Sequence, residues 1–336
     1  MKRILLIGTG GTIASEKSSE GLKPALSSAQ LLEFIPSVFQ FCEVDCCQPF
    51  SLDSTNVCPQ NWLEIVAVIQ KNYEEYDGFV ISHGTDTMAY TAAALSYLIQ
   101  GSKKPIILTG AQKPIGFEST DSKSNLMDAF RCAVSDTLHG VMIVFSGKVI
   151  PGPRACKTRT KSFEAFSSIN YPYLAIVQDN RLVQFLENSY QPEPTFYHAV
   201  CPDVAMLKLI PGVKPDLVSY MLAQNDALIL ESFGVGGVPT YPDSDFLPAL
   251  EAGCRAGKII VLSTQVQEEG SNLNIYQVAR KIRRYRQVLD AHDMTTEALV
   301  GKLMWILALT HDPEEVRRLF YTPVANDIWD YPPDLL

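Results

Sequence analysis

The chain opens with an unbroken apolar run, Ile4-Leu5-Leu6-Ile7, that leads straight into Gly8-Thr9-Gly10-Gly11-Thr12-Ile13-Ala14-Ser15. A short apolar run without alternation is the pattern of a strand buried on both faces of a parallel sheet. The glycines permit positive φ and let backbone approach a ligand closely. They present one hydroxyl, Thr12, at the carboxyl end of the strand, the edge where open α/β sheets bind ligands. The arrangement recurs at Phe79-Val80-Ile81-Ser82, which runs into His83-Gly84-Thr85-Asp86-Thr87-Met88. Two threonines and an aspartate at strand ends point to hydrolytic chemistry with a threonine nucleophile.

Between and beyond these segments, apolar runs alternate with helical periodicity, which predicts a parallel sheet covered by helices. Strands are predicted at 43–51, 78–82, 105–109 and 140–145. Pro59 suits the first position of a helix carrying Trp62, Ile65, Val66, Ile69 and Tyr73 on one face. Further helices are predicted at about 87–100 and 121–135. Regularity fades between Leu182 and Pro202, a stretch holding Pro192, Pro194 and Pro202. The expected fold class is therefore α/β: an N-terminal doubly wound, mostly parallel sheet domain over 1–185, a linker over 186–203, and a smaller C-terminal α/β domain over 204–336. Its strands are predicted at 205–210, 227–230 and 258–262, and its helices near 216–223, 245–256, 295–310 and 313–320.

A length of 336 residues suits two domains, and 46% hydrophobic against 19% charged residues allows a large core. The net charge of −9 argues against a general nucleic-acid partner. One basic cluster, Arg280, Lys281, Arg283, Arg284 and Arg286, reads as the solvated face of a helix. No apolar run approaches a membrane span. No apolar leader precedes the first strand, so a cytoplasmic location is expected. The eight cysteines fit a reducing compartment better than a disulfide scaffold. Cys42, Cys46, Cys47 and Cys58 lack paired zinc-ligand spacing. His139, His198, His292 and His311 have no partner spacing either, so no metal is expected.

Each motif has a plain structural reading beside the chemical one. The dinucleotide fingerprint fails at Ile13, and a phosphate loop fails because Gly11 is followed by Thr12-Ile13. Gly10-Gly11 alone could simply allow a tight turn. Thr85, Asp86 and Thr87 are all competent helix caps. What favours chemistry is recurrence: Leu52-Asp53-Ser54-Thr55-Asn56 follows a third predicted strand, so three polar strand ends would share one cleft. His83 reads as a residue that orients its turn, and Trp305 as core.

Here the chain resembles the bacterial-type L-asparaginases. Thr9-Gly10-Gly11-Thr12-Ile13-Ala14 and His83-Gly84-Thr85-Asp86-Thr87-Met88-Ala89 match that family's two signatures. Leu52-Asp53-Ser54-Thr55 is similar to its substrate loop and Pro153-Arg154-Ala155-Cys156-Lys157 to the segment that supplies its lysine. Phe233-Gly234-Val235-Gly236-Gly237-Val238-Pro239, Ser263-Thr264-Gln265 and Asp293-Met294-Thr295-Thr296-Glu297-Ala298 carry the likeness through the second domain. The Asp-Ser-Thr loop and the absence of a leader resemble the cytoplasmic type I branch.

The resemblance implies cofactor-free hydrolysis of L-asparagine to L-aspartate and ammonia. It implies Thr12 as nucleophile, forming an acyl-enzyme ester, with Thr85, Asp86 and Lys157 as a hydrogen-bonded second centre. A lysine serves as base only if its pKa falls from about 10.4. Burial would lower it and neighbouring Asp86 would oppose that, so the lysine's role and the order of attack stay open. Asp86, assisted by Asp53, would bind the substrate ammonium, and Ser54 and Thr55 its carboxylate. A homodimer or dimer of dimers is implied as well. Two departures stand out. Leu22 occupies the place of a loop tyrosine, within Glu20-Gly21-Leu22-Lys23-Pro24. Glu231, Thr264 and Val266 fall where some type I members bind activating asparagine through an arginine, a threonine and a cysteine, which predicts weak or absent activation. The rival readings are a glutamine-leaning or tRNA-linked amidohydrolase on the same scaffold, and a non-catalytic amino-acid binding module.

Overall fold

The opening apolar run forms strand β1 (Lys2–Gly8) in the middle of a large sheet, paired on both sides. The computed structural model describes residues 1–18, 21–241, 244–275, 281–282, 284–329 and 331. They form two compact units, Met1–His198 and Ala199–Leu336.

The first unit continues with a hairpin of β2 (Ser15–Ser18) and β3 (Gly21–Pro24), then β4 (Cys42–Cys47), β5 (Gly78–Ser82), β6 (Ile99–Gln100), β7 (Pro105–Thr109) and β8 (Gly140–Phe145). It ends with β9 (Lys148–Pro151), β10 (Ala155–Lys157), β11 (Phe166–Ser168), β12 (Ala175–Gln178), β13 (Arg181–Gln184) and β14 (Thr195–Phe196). Its helices are α1 (Ser28–Glu33), α2 (Pro59–Asn72), α3 (Met88–Leu98) and α4 (Ser122–Ala133). The main sheet has eight strands in the order β13-β12-β9-β8-β7-β5-β1-β4. From β4 to β8 every pairing is parallel, and from β8 outward every pairing is antiparallel.

This order fixes where a site can form. The second parallel strand in the chain, β4, lies on one side of β1, and the third, β5, lies on the other. The chain reverses its winding between β1 and β5, and the crevice at their carboxyl ends is where doubly wound sheets take their ligands. The loops that leave these two strands are 9–15 and 83–87.

Packing follows the sequence pattern. Ile4, Leu6, Val80, Ile107, Met142 and Val144 form one buried face of the sheet and pack with Leu31, Leu126, Ala129 and Phe130 from α1 and α4. Each such side chain contributes roughly 1.5–3 kcal/mol of burial. Helix α2 starts with Pro59 at its first turn and buries Trp62, Ile65, Val66 and Ile69. Helix α3 is buried on nearly all sides, and its alanines let other backbone close in. A Cβ at Gly152 would meet Ala92 O at 2.7 Å and Ser96 Oγ at 2.4 Å. The turn before β10 therefore sits directly on α3, and β10 carries Lys157. The stretch expected as a linker is partly held by the first unit: Gln191 N donates to Gly101 O at 2.9 Å, and β14 pairs with β6.

In the second unit β15 (Val204–Lys208), β16 (Ala227–Ser232), β17 (Ile259–Thr264) and β18 (Val288–Asp290) form a four-stranded parallel sheet in chain order. Among the described residues its helices include α5 (Pro215–Gln224), α6 (Leu247–Arg255), α7 (Thr296–Leu307) and α8 (Pro313–Tyr321). Strand β18 lies beyond the three strands predicted here. Leu222, Leu228, Leu250, Ile260 and Leu262 share its core, and Trp305 is buried as expected. Lys302 and Asp327, both fully buried, form an ion pair at 2.6 Å that ties the C-terminal segment to α7. Arg284 and Arg286 pair with Glu251 and Glu314, but from a turn ahead of β18 rather than from the expected helix face; Arg280 and Arg283 lie outside the described residues. No described helix is long and apolar enough to cross a membrane.

Candidate active site

Backbone contacts assemble the site before any side chain is considered. Gly10 forms a parallel bridge with Leu52; Gly11 N donates to Leu52 O and Leu52 N to Thr9 O, each at 2.9 Å. Thr9 Oγ1 donates to Ser82 O at 2.8 Å, at the end of β5. Gly11 has φ +78°, and a Cβ there would stand 2.3 Å from Gly84 N. A Cβ on Gly84 would meet Ser54 Oγ at 2.6 Å. Three loops thus meet at Gly11, Ser54 and Gly84, and the next residues along two of them are Thr12 and Thr85.

Lys157 Nζ donates to Thr85 Oγ1 at 2.8 Å and to Asp86 Oδ1 at 2.6 Å. The lysine side chain is mostly buried, while that of Asp86 is 57% exposed. The hydroxyl of Thr85 is therefore held by a cation, and the aspartate still faces solvent. Asp86 N donates to Ser54 Oγ at 3.3 Å, and Thr87 Oγ1 donates to Ser54 O at 2.7 Å. Thr12 is half-buried on the short turn Thr12–Ala14.

The Asp53 loop is bonded to itself. Asp53 Oδ1 accepts from Thr55 N at 2.9 Å and from Thr55 Oγ1 at 2.8 Å, capping the turn Ser54–Asn56. The proton of the Thr55 hydroxyl is thereby spent inside the loop. Ser54 is buried against Gly84, with its Oγ accepting from Asp86 N.

His83 orients the second loop. It is wholly buried, and its Nδ1 donates to Gly84 O at 2.8 Å, which fixes the tautomer. Its Nε2 then accepts from Thr91 Oγ1 at 3.0 Å, and Thr91 Oγ1 accepts from Trp62 Nε1 at 3.1 Å. Burial pulls the imidazole pKa from 6.5 down to about 4, so the ring is neutral.

One residue of this cluster escaped the sequence reading. Thr85 Oγ1 donates to Gln112 Oε1 at 3.3 Å, and Gln112 Nε2 donates to Ser162 O at 3.1 Å and Arg159 O at 3.4 Å. The backbone N–H of Gln112 donates to both carboxylate oxygens of Asp121. Gln112 follows Thr109-Gly110-Ala111 at the carboxyl end of β7, the same setting as the two loops already singled out. A lone polar residue there is a weaker signal than a run of them. The side chain of Leu22 and all of Glu20 lie outside the described residues.

Comparison with known proteins agrees with this geometry. The family model described as asparaginase, N-terminal, matches residues 3–190. The glutaminase/asparaginase C-terminal domain matches residues 203–320. An L-asparaginase of Thermococcus kodakarensis is 36% identical over 328 residues, spanning 97% of this chain and 99% of that protein. A glutamyl-tRNA(Gln) amidotransferase subunit of Pyrococcus horikoshii is 32% identical over 98% of this chain and 77% of its own length. Among solved structures, the thermostable L-asparaginase from Thermococcus kodakarensis superposes with a TM-score of 0.91 at 34% identity, covering 98% of this chain and 100% of that one. The probable cytoplasmic L-asparaginase from Campylobacter jejuni does so with a TM-score of 0.81 at 25% identity, covering 95% and 99%. Threonine-bearing loops meeting at the winding reversal, family models over both units and relatives aligned almost end to end lead to one conclusion: the chain belongs to the asparaginase family.

Proposed function

We propose that this protein hydrolyses the side-chain amide of L-asparagine to L-aspartate and ammonia through an acyl-enzyme on Thr12. The observation that carries the reading is the hydrogen-bonded set Thr85–Lys157–Asp86, on a loop that the Gly11–Gly84 contact holds against the turn carrying Thr12. Thr12 Oγ1 attacks the amide carbon; the C–O bond forms, the C–N bond breaks, and the hydroxyl proton leaves with the nitrogen as ammonia. Water then attacks the ester, releasing aspartate and restoring the hydroxyl. Thr85, gripped by Lys157 and Gln112, accepts a hydrogen bond from that water and so orients it, while backbone N–H groups of the strand-end loops donate to the developing oxyanion. The half-exposed Asp86 takes the substrate ammonium, with Asp53 assisting. Ser54 takes the carboxylate, while Thr55, whose N–H and hydroxyl both serve Asp53, keeps the loop in shape around it.

Binding energy alone separates asparagine from glutamine poorly, because one methylene is worth only about 1–3 kcal/mol. Identity to an amidotransferase component supports a rival reading, in which ammonia passes to a partner protein. Free ammonia release by the isolated chain separates the two. A homodimer or dimer of dimers is proposed as well, supported by the exposed apolar residues Met206, Ile210, Leu217 and Tyr220 of the second unit. A cytoplasmic location is supported by eight free cysteines and by likeness to the probable cytoplasmic enzyme of Campylobacter jejuni.

The test is ammonia release from asparagine and from glutamine by the purified chain beside Thr12→Ala and Thr85→Val. The reading requires release from asparagine that both substitutions abolish. No release from either amide would leave the non-catalytic binding module as the better account.

A further inference from the structure

Away from the strand-end cluster, the second unit gathers three side chains that are far apart in the chain. We infer that Cys201, Asp226 and His311 form a binding site for a thiophilic divalent cation of the zinc class. Their ligand atoms all lie within 4.8 Å of one another. His311 Nε2 stands 3.2 Å from Asp226 Oδ2. Zinc bonds of about 2.0–2.3 Å put tetrahedral ligand atoms roughly 3.3–3.8 Å apart, so small side-chain adjustments close the set around an ion.

The backbone holds these residues in place. Strands β15 and β16 pair in parallel from Val204 and Ala227 onward, which puts Cys201 and Asp226 at the amino ends of neighbouring strands. Asp226 N donates to Asp203 O at 2.8 Å. Cys201 N donates to Met304 O at 2.8 Å, fastening the cysteine to α7, whose C-terminal end leads to His311. This is the amino edge of the sheet, and none of the three residues belongs to the catalytic cluster described above.

The donor chemistry selects the ion. A thiolate, a carboxylate and a neutral imidazole suit zinc or a similar borderline-soft metal, and disfavour calcium and magnesium, which prefer all-oxygen sites. The two anionic ligands balance a doubly charged ion. Lys258 Nζ sits 3.0 Å from Asp226 Oδ1 and occupies that oxygen, leaving Oδ2 as a single ligand oriented by an outer partner. Three protein ligands leave a fourth position for water. The His311 side chain is 61% exposed, so the ion can enter from solvent.

The test uses the full chain, reduced and metal-free, titrated with Co²⁺. A thiolate-to-cobalt absorption band should saturate at one equivalent and vanish when Zn²⁺ is added. Cys201→Ser should abolish the band. His311→Ala and Asp226→Asn should weaken cobalt affinity by at least the roughly 10–100-fold typical of losing an outer partner. Ammonia release should be unchanged in all three variants. Should a variant fail to fold, the unaltered protein still decides: one equivalent of Zn²⁺ should shield Cys201 from alkylation while the exposed Cys46 and Cys58 keep reacting. Absence of the band, its survival in Cys201→Ser, undiminished affinity in both other variants, or unshielded alkylation of Cys201 would each overturn the inference and leave the cluster an ion-pair network.

Discussion

Gly11 and Gly84 touch through their backbones: a Cβ on Gly11 would lie 2.4 Å from the Gly84 Cα and 2.3 Å from its nitrogen. The contact joins the turn after β1 to the turn after β5 and so sets the spacing of Thr12 and Thr85. Gly11→Ala meets both this collision and an unfavourable φ of +78°. It should destabilise the fold by roughly 2–5 kcal/mol and remove activity. Gly212→Ala is the control, because φ is +88° there but nothing lies within 4 Å. It should cost only about 1–2 kcal/mol and keep full activity. Urea denaturation and ammonia release check both, and an active, stable Gly11→Ala protein would show that the contact does not shape the site.

Lys157 has two partners, one a hydroxyl and one a carboxylate. Lys157→Met keeps the length of the side chain and removes its charge. The expected result is a fall in kcat of about 10²–10⁴, the range for losing a group engaged in proton transfer, with a smaller change in KM. A variant that only lost thermal stability, with kcat intact, would reduce the lysine to a strut under β10.

The sequence made the strands at the winding reversal readable because they are apolar on both faces. Strands 105–109 and 140–145 appear with the bounds their composition implies. The antiparallel edge β9, β12 and β13 was not legible. Its strands are four residues long, and β12 and β13 are only partly buried, so hydrophobic periodicity hardly marks them. Strand β18 is buried throughout, but its three residues are too few to show any period. In the site, runs such as His83–Thr87 announced themselves, whereas Gln112 did not. The convergence of Cys201, Asp226 and His311 arises from β-strand pairing and a helix turn, and no local spacing encodes it.

The neutral His83 makes stability depend on pH. In the unfolded chain imidazole takes up a proton near pH 6.5, whereas in the fold it does so only near about 4. The histidine's contribution is therefore complete above about pH 6.5 and is lost as pH falls toward 4. At 1.36 kcal/mol per pKa unit the loss is on the order of 3 kcal/mol. Unfolding free energies measured between about pH 7 and pH 4.5 should show this slope, and His83→Gln should flatten it. An unchanged slope in the variant would assign the acid sensitivity to other groups.

The resemblance puts Glu231 where an activating asparagine is expected to bind, and there its carboxylate would repel the effector's own. Its Oε1 accepts from Thr296 Oγ1 at 2.8 Å, and its carboxylate lies 3.9 Å from Lys208 Nζ. Thr264 Oγ1 is engaged by Gly234 O and by Val266 N. Rates plotted against asparagine concentration should therefore be hyperbolic. A sigmoidal curve that Thr264→Ala abolished would contradict this.

The proposed chemistry turns on Thr12 carrying the acyl group. The sharpest check is to quench the enzyme during turnover of L-asparagine and map its peptides by mass spectrometry, with Thr85→Val included to slow hydrolysis of the ester. One aspartyl group is expected on the peptide containing Thr12, absent from Thr12→Ala. An adduct on the peptide containing Thr85 instead, or steady ammonia release by Thr12→Ala, would refute the assignment.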